Sequence, residues 1–131
     1  MLTALALIFT AILLGGMVFY SFGFAPVLIA QMPLDRARPL LRGTFPYYYL
    51  AVIGVAGVAA ALAVAVAPGA AAILGAIALS TVYARQVLMA QINAATDRGD
   101  TAGFKRLHGA SVALQLVQIG LAGWALLLVA A

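Results

Sequence analysis

What most constrains this chain is where its charges fall. It has 131 residues, with seven Lys and Arg and three Asp and Glu. Nine of these ten lie in two short windows: Asp35, Arg36, Arg38 and Arg42 in the first, and Asp97, Arg98, Asp100, Lys105 and Arg106 in the second. Arg85 stands alone. Residues 1–34, 43–84 and 107–131 therefore carry no charged side chain. A helix that crosses a bilayer needs about 20 mostly apolar residues, so the first and last tracts hold one crossing each. The middle tract is too long for one. Pro68-Gly69 divides it, because proline cannot continue a helix and glycine tolerates a turn.

The spacing predicts four spans, at about 3–31, 46–67, 70–94 and 107–130, in one transmembrane domain over residues 1–131. Continuous apolar runs such as Val55 to Ala67 lack the alternation of barrel strands, and backbone groups in lipid must bond within their own segment. The expected fold is all-α, a polytopic membrane four-helix bundle. Composition agrees: 66% of residues are apolar and 8% charged, against roughly 45–50% and 25% in soluble domains. The absence of cysteine excludes disulfide scaffolds, thiolate metal sites and cysteine catalysis. The N-terminal tract has no basic leader and too long an apolar run for a signal peptide, so a retained span is expected.

Both basic windows fall on the same side of the membrane, two spans apart. The positive-inside rule makes that side cytoplasmic and leaves both termini outside, the arrangement expected of a bacterial inner membrane protein. Tyr47, Tyr48 and Tyr49 are expected to form an aromatic belt at the cytoplasmic interface, with Trp124 near the outer one. The net charge of +4 suits anionic lipid headgroups. No aromatic-interleaved basic stripe points to nucleic acid. Spans should pack through small residues: Gly54, Gly57, Ala60, Ala61, Ala63 and Ala65 on span two, Gly120 and Gly123 on span four, Gly15, Gly16 and Gly23 on span one. Pro26 should kink span one. A homo-oligomer or a larger membrane complex is expected.

The polar residues inside the spans are the candidate site. Arg85 lies about 22 Å along the helix from Ala70, inside the hydrocarbon, where an arginine costs about 2.5–3.5 kcal/mol near the helix centre and usually faces the bundle interior with a partner. Thr81, Arg85, Met89 and Asn93 share a face of span three. His108, Ser111, Gln115 and Gln118 keep within an arc of about 80° on span four. Thr3, Thr10, Met17 and Ser21 form a further line on span one. With no acidic residue in the spans, a carboxylate relay for cations is not expected. A fixed guanidinium suits a polar or anionic ligand, with Arg85, His108, Ser111, Gln115, Gln118 and Asn93 as its ligand-binding residues. Alternatively, these side chains are interhelical glue and Arg85 clamps carbonyls. Phosphate-binding glycine loops, HExxH and a Ser-His-Asp set are missing. One histidine builds no all-protein metal cage, although His108 would suffice as an axial ligand to haem.

Four segments carry a family resemblance: Gly16-Met17 and the aromatic-rich run to Pro26; Phe45-Pro46-Tyr47-Tyr48; Thr81-Val82-Tyr83-Ala84-Arg85; and Phe104-Lys105-Arg106-Leu107-His108-Gly109-Ala110-Ser111. In this order and spacing the chain resembles the transmembrane-protein-205-like family, a four-helix integral membrane domain of unknown function numbered 4149. The resemblance implies Arg85, Arg106, His108 and Ser111 as shared positions. Met89 departs from it, since relatives often carry a proline about a turn after the span-three arginine. The functions expected are a non-enzymatic membrane protein that binds or helps move a small polar or anionic solute, or an accessory subunit. The alternatives are a haem- or quinone-linked oxidoreductase with His108 as ligand or proton donor, and a structural packing subunit.

Overall fold

The computed structural model describes all residues, 1–131. Four helices account for nearly the whole chain: α1 (Leu2–Gln31), α2 (Leu34–Ala63), α3 (Pro68–Asp97) and α4 (Thr101–Ala130), each long and apolar enough to cross a membrane. They run up and down in sequence. α1 packs on α2 and α4, and α3 packs on α2 and α4, so the helices form a ring in chain order. Each has 30 residues, about 45 Å at 1.5 Å per residue. That matches a bilayer with its headgroup layers, not the hydrocarbon alone.

The helices therefore extend beyond the apolar tracts. α2 begins at Leu34, not near 46, and α4 begins at Thr101, not near 107. Arg36, Arg38 and Arg42 are not in a loop but ride on the first turns of α2, as Lys105 and Arg106 do on α4. Charge does not stop a helix; backbone chemistry does. Met32 is extended (φ −119°, ψ 150°) because the residue before a proline avoids the helical region, and Pro33 then caps α2 without a side-chain bond. Pro68 opens α3 at its first position, where its missing N–H would be unpaired anyway. Gly99 takes φ 71° in the turn between α3 and α4, a conformation that suits glycine. Asp100 caps α4 by accepting from the Gly103 backbone N–H at 2.9 Å. That bond, and after it the Arg98 guanidinium, hold its carboxyl below the usual range. A depressed carboxyl stabilises the fold at neutral pH, and this contribution disappears as pH falls through the lowered value.

Both charged windows meet at one end of the bundle. Arg42 on α2 makes a two-pronged pair with Asp97 on α3, at 2.8 and 3.0 Å. The apolar core lies toward the opposite end. Along each helix the buried positions, within this core and above it, recur at intervals of four and three: Ala6, Thr10, Leu13, Met17 on α1; Tyr49, Val52, Ala56, Ala59, Ala63 on α2; Ala70, Leu74, Ile77, Thr81, Ala84, Leu88 on α3; Gln118, Ala122, Ala125, Val129 on α4. This is the heptad spacing of knobs-into-holes packing with shallow crossings. Lipid tails are as apolar as the core, so close contact between backbones holds such a bundle together.

Alanine, not glycine, supplies that contact. Ala56, Ala59 and Ala63 are 0% exposed. A Cβ built on Gly15, Gly16, Gly54, Gly57, Gly120 or Gly123 meets no heavy atom within 4 Å, so the expected glycine contacts are not made within the bundle. Pro26 is preceded by a π-helical turn, Phe19–Phe24, closed by the Ala25 N–H reaching back to the Tyr20 carbonyl. A second π turn, Ala84–Leu88, surrounds Arg85. The expectation for packing is a contrast between neighbours. Ala59→Leu should destabilise the protein by about 1–3 kcal/mol, whereas Gly57→Ala should be neutral or stabilising, as alanine is the better helix former. Unfolding in detergent of the two variants beside the wild type checks this.

Candidate functional site

Above the alanine core, toward the charged end, the centre of the bundle is filled by aromatic and polar side chains. Tyr20 of α1 and Tyr48 of α2 stack with centroids 4.1 Å apart and planes 11° from parallel. Phe45 meets the edge of this pair at 5.2 Å from Tyr20, and Tyr49 lies 5.6 Å from Tyr48. The Tyr20 hydroxyl pairs with Thr44 at 3.1 Å. Of the three tyrosines expected as an interfacial belt, only Tyr47 faces outward, at 75% exposed. Tyr48 and Tyr49 turn inward because position 49 lies on the heptad seam, and position 48, at its edge, is one turn before the seam residue Val52. Trp124 is exposed on the outside of α4.

The α4 stripe meets these groups in order of depth. His108 is exposed and stacks on Phe104, with rings 5.4 Å apart and 7° from parallel. Ser111 reaches the Tyr49 hydroxyl at 3.5 Å, the limit of a hydrogen bond. The Gln115 amide donates to Ser21 Oγ at 2.8 Å and to the Tyr48 hydroxyl. Gln118, 3% exposed, donates to Ser80 Oγ at 2.8 Å and Thr81 Oγ1 at 3.0 Å. The Ser80 and Thr81 hydroxyls both donate hydrogen bonds to the Ile77 carbonyl. Their oxygens are thus left to accept, and the Gln118 amide is the donor that fits. Thr10 bonds the Ala6 carbonyl at 2.7 Å, Met17 is buried in the core, and Thr3 is exposed. Gln115 and Gln118 thus join α4 to all three other helices.

Arg85 does not join this network. Its Nε donates to the Pro46 carbonyl of α2 at 3.2 Å, and its Nη1 donates to the neighbouring Gln86 Oε1 at 3.2 Å. No hydrogen bond connects it to His108, Ser111, Gln115 or Gln118. Register is the reason. Ala84 and Leu88 occupy the α3 seam, and Arg85, one residue on, falls on the flank toward α2. A guanidinium has five N–H groups, so three have no acceptor in the protein, and no carboxylate pairs with it. Asp97 is held by Arg42 and Asp100 by Arg98. Asn93, on the same face two turns along, is half-buried and makes no side-chain hydrogen bond to the protein. The six expected residues therefore divide into an interior set (Ser111, Gln115, Gln118), Arg85 on the flank toward α2, the half-buried and unpartnered Asn93, and the exposed His108.

Two open apolar grooves lie elsewhere. One of about 390 Å³ follows α1 past its π turn, lined by Phe19, Gly23, Phe24, Val27, Leu28 and Gln31. A smaller one of about 130 Å³ lies between α1 and α2 and reaches Tyr48. The spacing of the polar residues does not reveal Tyr48, Tyr49 and Pro46 as their partners. The available signal was the heptad phase of α2, which runs backward from Ala63 to Tyr49. A double-mutant cycle of Tyr48→Phe and Gln115→Leu should give a coupling of about 0.6 kcal/mol, with about 1.7 as the ceiling for a membrane hydrogen bond. Reversible unfolding of the four proteins measures it.

Residues 8–101 match the domain of unknown function DUF4149. The match runs from the first third of α1 through all of α2 and α3, and so takes in Ser21, Pro46, Tyr48, Arg85 and Asn93, while His108 and the α4 stripe lie beyond it. No curated protein and no solved structure matches the chain. With most of its length matched, including the arginine-bearing third helix, this integral membrane protein belongs to the DUF4149 family.

Proposed function

We propose that this chain is a non-enzymatic integral membrane protein that holds a small polar or anionic solute against Arg85, on the flank between α2 and α3, by itself or as an accessory subunit of a larger membrane complex or homo-oligomer. One observation carries the reading. The guanidinium is fixed at a π turn by the Pro46 carbonyl, three of its N–H donors have no protein acceptor, and no carboxylate neutralises it. π turns are frequent at functional sites. An arginine in a membrane is costly, and a donor without an acceptor adds to that cost, so an anion at this place would relieve both. Asn93 on the same face adds an amide. Gln115, Gln118 and Ser111 act in this reading as the polar packing that holds α4 in register.

On the positive-inside rule the charged end faces the cytoplasm of a bacterial inner membrane, with both termini on the other side. The resemblance of Arg85 and of the Phe104-to-Ser111 segment to the transmembrane-protein-205-like proteins belongs to the same reading. The haem alternative has less behind it: the His108 ring is stacked on Phe104 at the exposed end of α4, away from both grooves.

The test is native mass spectrometry of the gently solubilised protein. Wild type should retain a polar or anionic species that Arg85→Leu loses while keeping its helicity and elution volume. The same bound mass in Arg85→Leu, or none in either protein, would overturn the reading.

A further inference from the structure

Helix geometry says where the Arg85 side chain points. Arg42 and Pro46 are four residues apart on α2, and Asp97 and Arg85 are twelve apart on α3. The Arg85 Nε donates to the Pro46 carbonyl, and Pro46 lies about 6 Å of helix inward of Arg42, whose guanidinium forms the ion pair at the charged end. The Arg85 guanidinium therefore sits about one turn from the charged end, within the reach over which arginines snorkel to headgroups.

Its surroundings are those of a lipid contact. Arg85 is half-buried on the outer flank, and neither groove described above is lined by it. Leu50, one turn past Pro46 on α2, and Val82, three residues before Arg85 and on its face of α3, are 47% and 40% exposed. Both lie on the side of the guanidinium away from the charged end, where they offer acyl chains an apolar surface. Charge is complementary to an anion, because Asp97, the acidic residue at the top of this seam, is already neutralised by Arg42.

We propose that the anion held by Arg85 is the phosphate of an anionic phospholipid, with its acyl chains lying against the outer faces of α2 and α3. This rests on the reading that Arg85 holds an anion, and it names the source. Arginine suits the task because its planar fork gives two parallel bonds to phosphate oxygens.

The experiment uses the full chain in nanodiscs of phosphatidylcholine, with and without phosphatidylglycerol, reading retained lipid by native mass spectrometry and melting temperature by tryptophan fluorescence. Wild type should retain phosphatidylglycerol in preference to phosphatidylcholine and melt higher in its presence. Arg85→Gln should bind phosphatidylglycerol about tenfold more weakly, the loss expected for charge-assisted hydrogen bonds. Arg85→Lys, which keeps the charge without the fork, should fall between them and serves if the glutamine variant does not fold. Inorganic phosphate added to phosphatidylcholine discs should do nothing. An undiminished phosphatidylglycerol preference in a helical, monodisperse Arg85→Gln would overturn the proposal. If inorganic phosphate instead stabilised wild type but not Arg85→Gln, with no lipid preference, the lipid source would be wrong and the anion reading would stand. If neither probe depended on Arg85, both would fall.

Discussion

Four helices of this composition gain nothing in lipid from burying apolar side chains against one another, so the bundle depends on how closely its backbones approach. The alanine seam answers that requirement. Ala56, Ala59 and Ala63 face Ala70, Leu74 and Ile77 across the tightest helix pair, and Ala6, Ala122 and Ala125 close the ring. The three-and-four spacing sets the phase of each helix, and that phase decides which polar residues look inward.

The same seam continues into the charged-end half with different chemistry. On α4, alanine gives way to Gln118, Gln115 and Ser111 at the same spacing, and on α2 to Tyr49 with Tyr48 beside it. Bulky aromatic rings and amides fill the space that alanines leave closed below. Every deeply buried side-chain polar atom has a partner, as a medium without water demands. An amide at a seam position also opposes slippage between helices, because a shift of one turn would separate its donors from their acceptors. Arg85 stands outside this economy. It lies one residue off the seam, bonds a carbonyl of its neighbour, and leaves three of its five N–H groups without a protein acceptor.

Much of the fold was legible in the residues, because bilayer physics acts on composition. The four spans follow from charge-free tracts and one Pro-Gly pair, and the joining of the two charged windows follows from helix direction. The site was legible only in part. That Gln115, Gln118 and Ser111 face the interior could be read from their spacing. Their partners could not, since Ser21, Tyr48, Ser80 and Thr81 come from three other helices, and a helix's own pattern fixes which side faces inward but not which residue it meets there. The glycines misled for the same reason: a small residue shows that close approach is allowed, not on which face it happens. The charged windows misled about loops because hydropathy marks where lipid begins, whereas helices end at backbone signals such as Met32-Pro33 and Gly99.

By itself, then, the sequence determined a membrane-embedded all-helical chain with its charge at one end, because transfer free energy and backbone hydrogen bonding leave no other arrangement. Only the tertiary structure decided that Arg85 turns to Pro46 and not to the glutamines of α4. A displacement of one residue around a helix is about 100°. It is invisible in composition, and it separates a side chain sealed in the core from one offered to the surroundings.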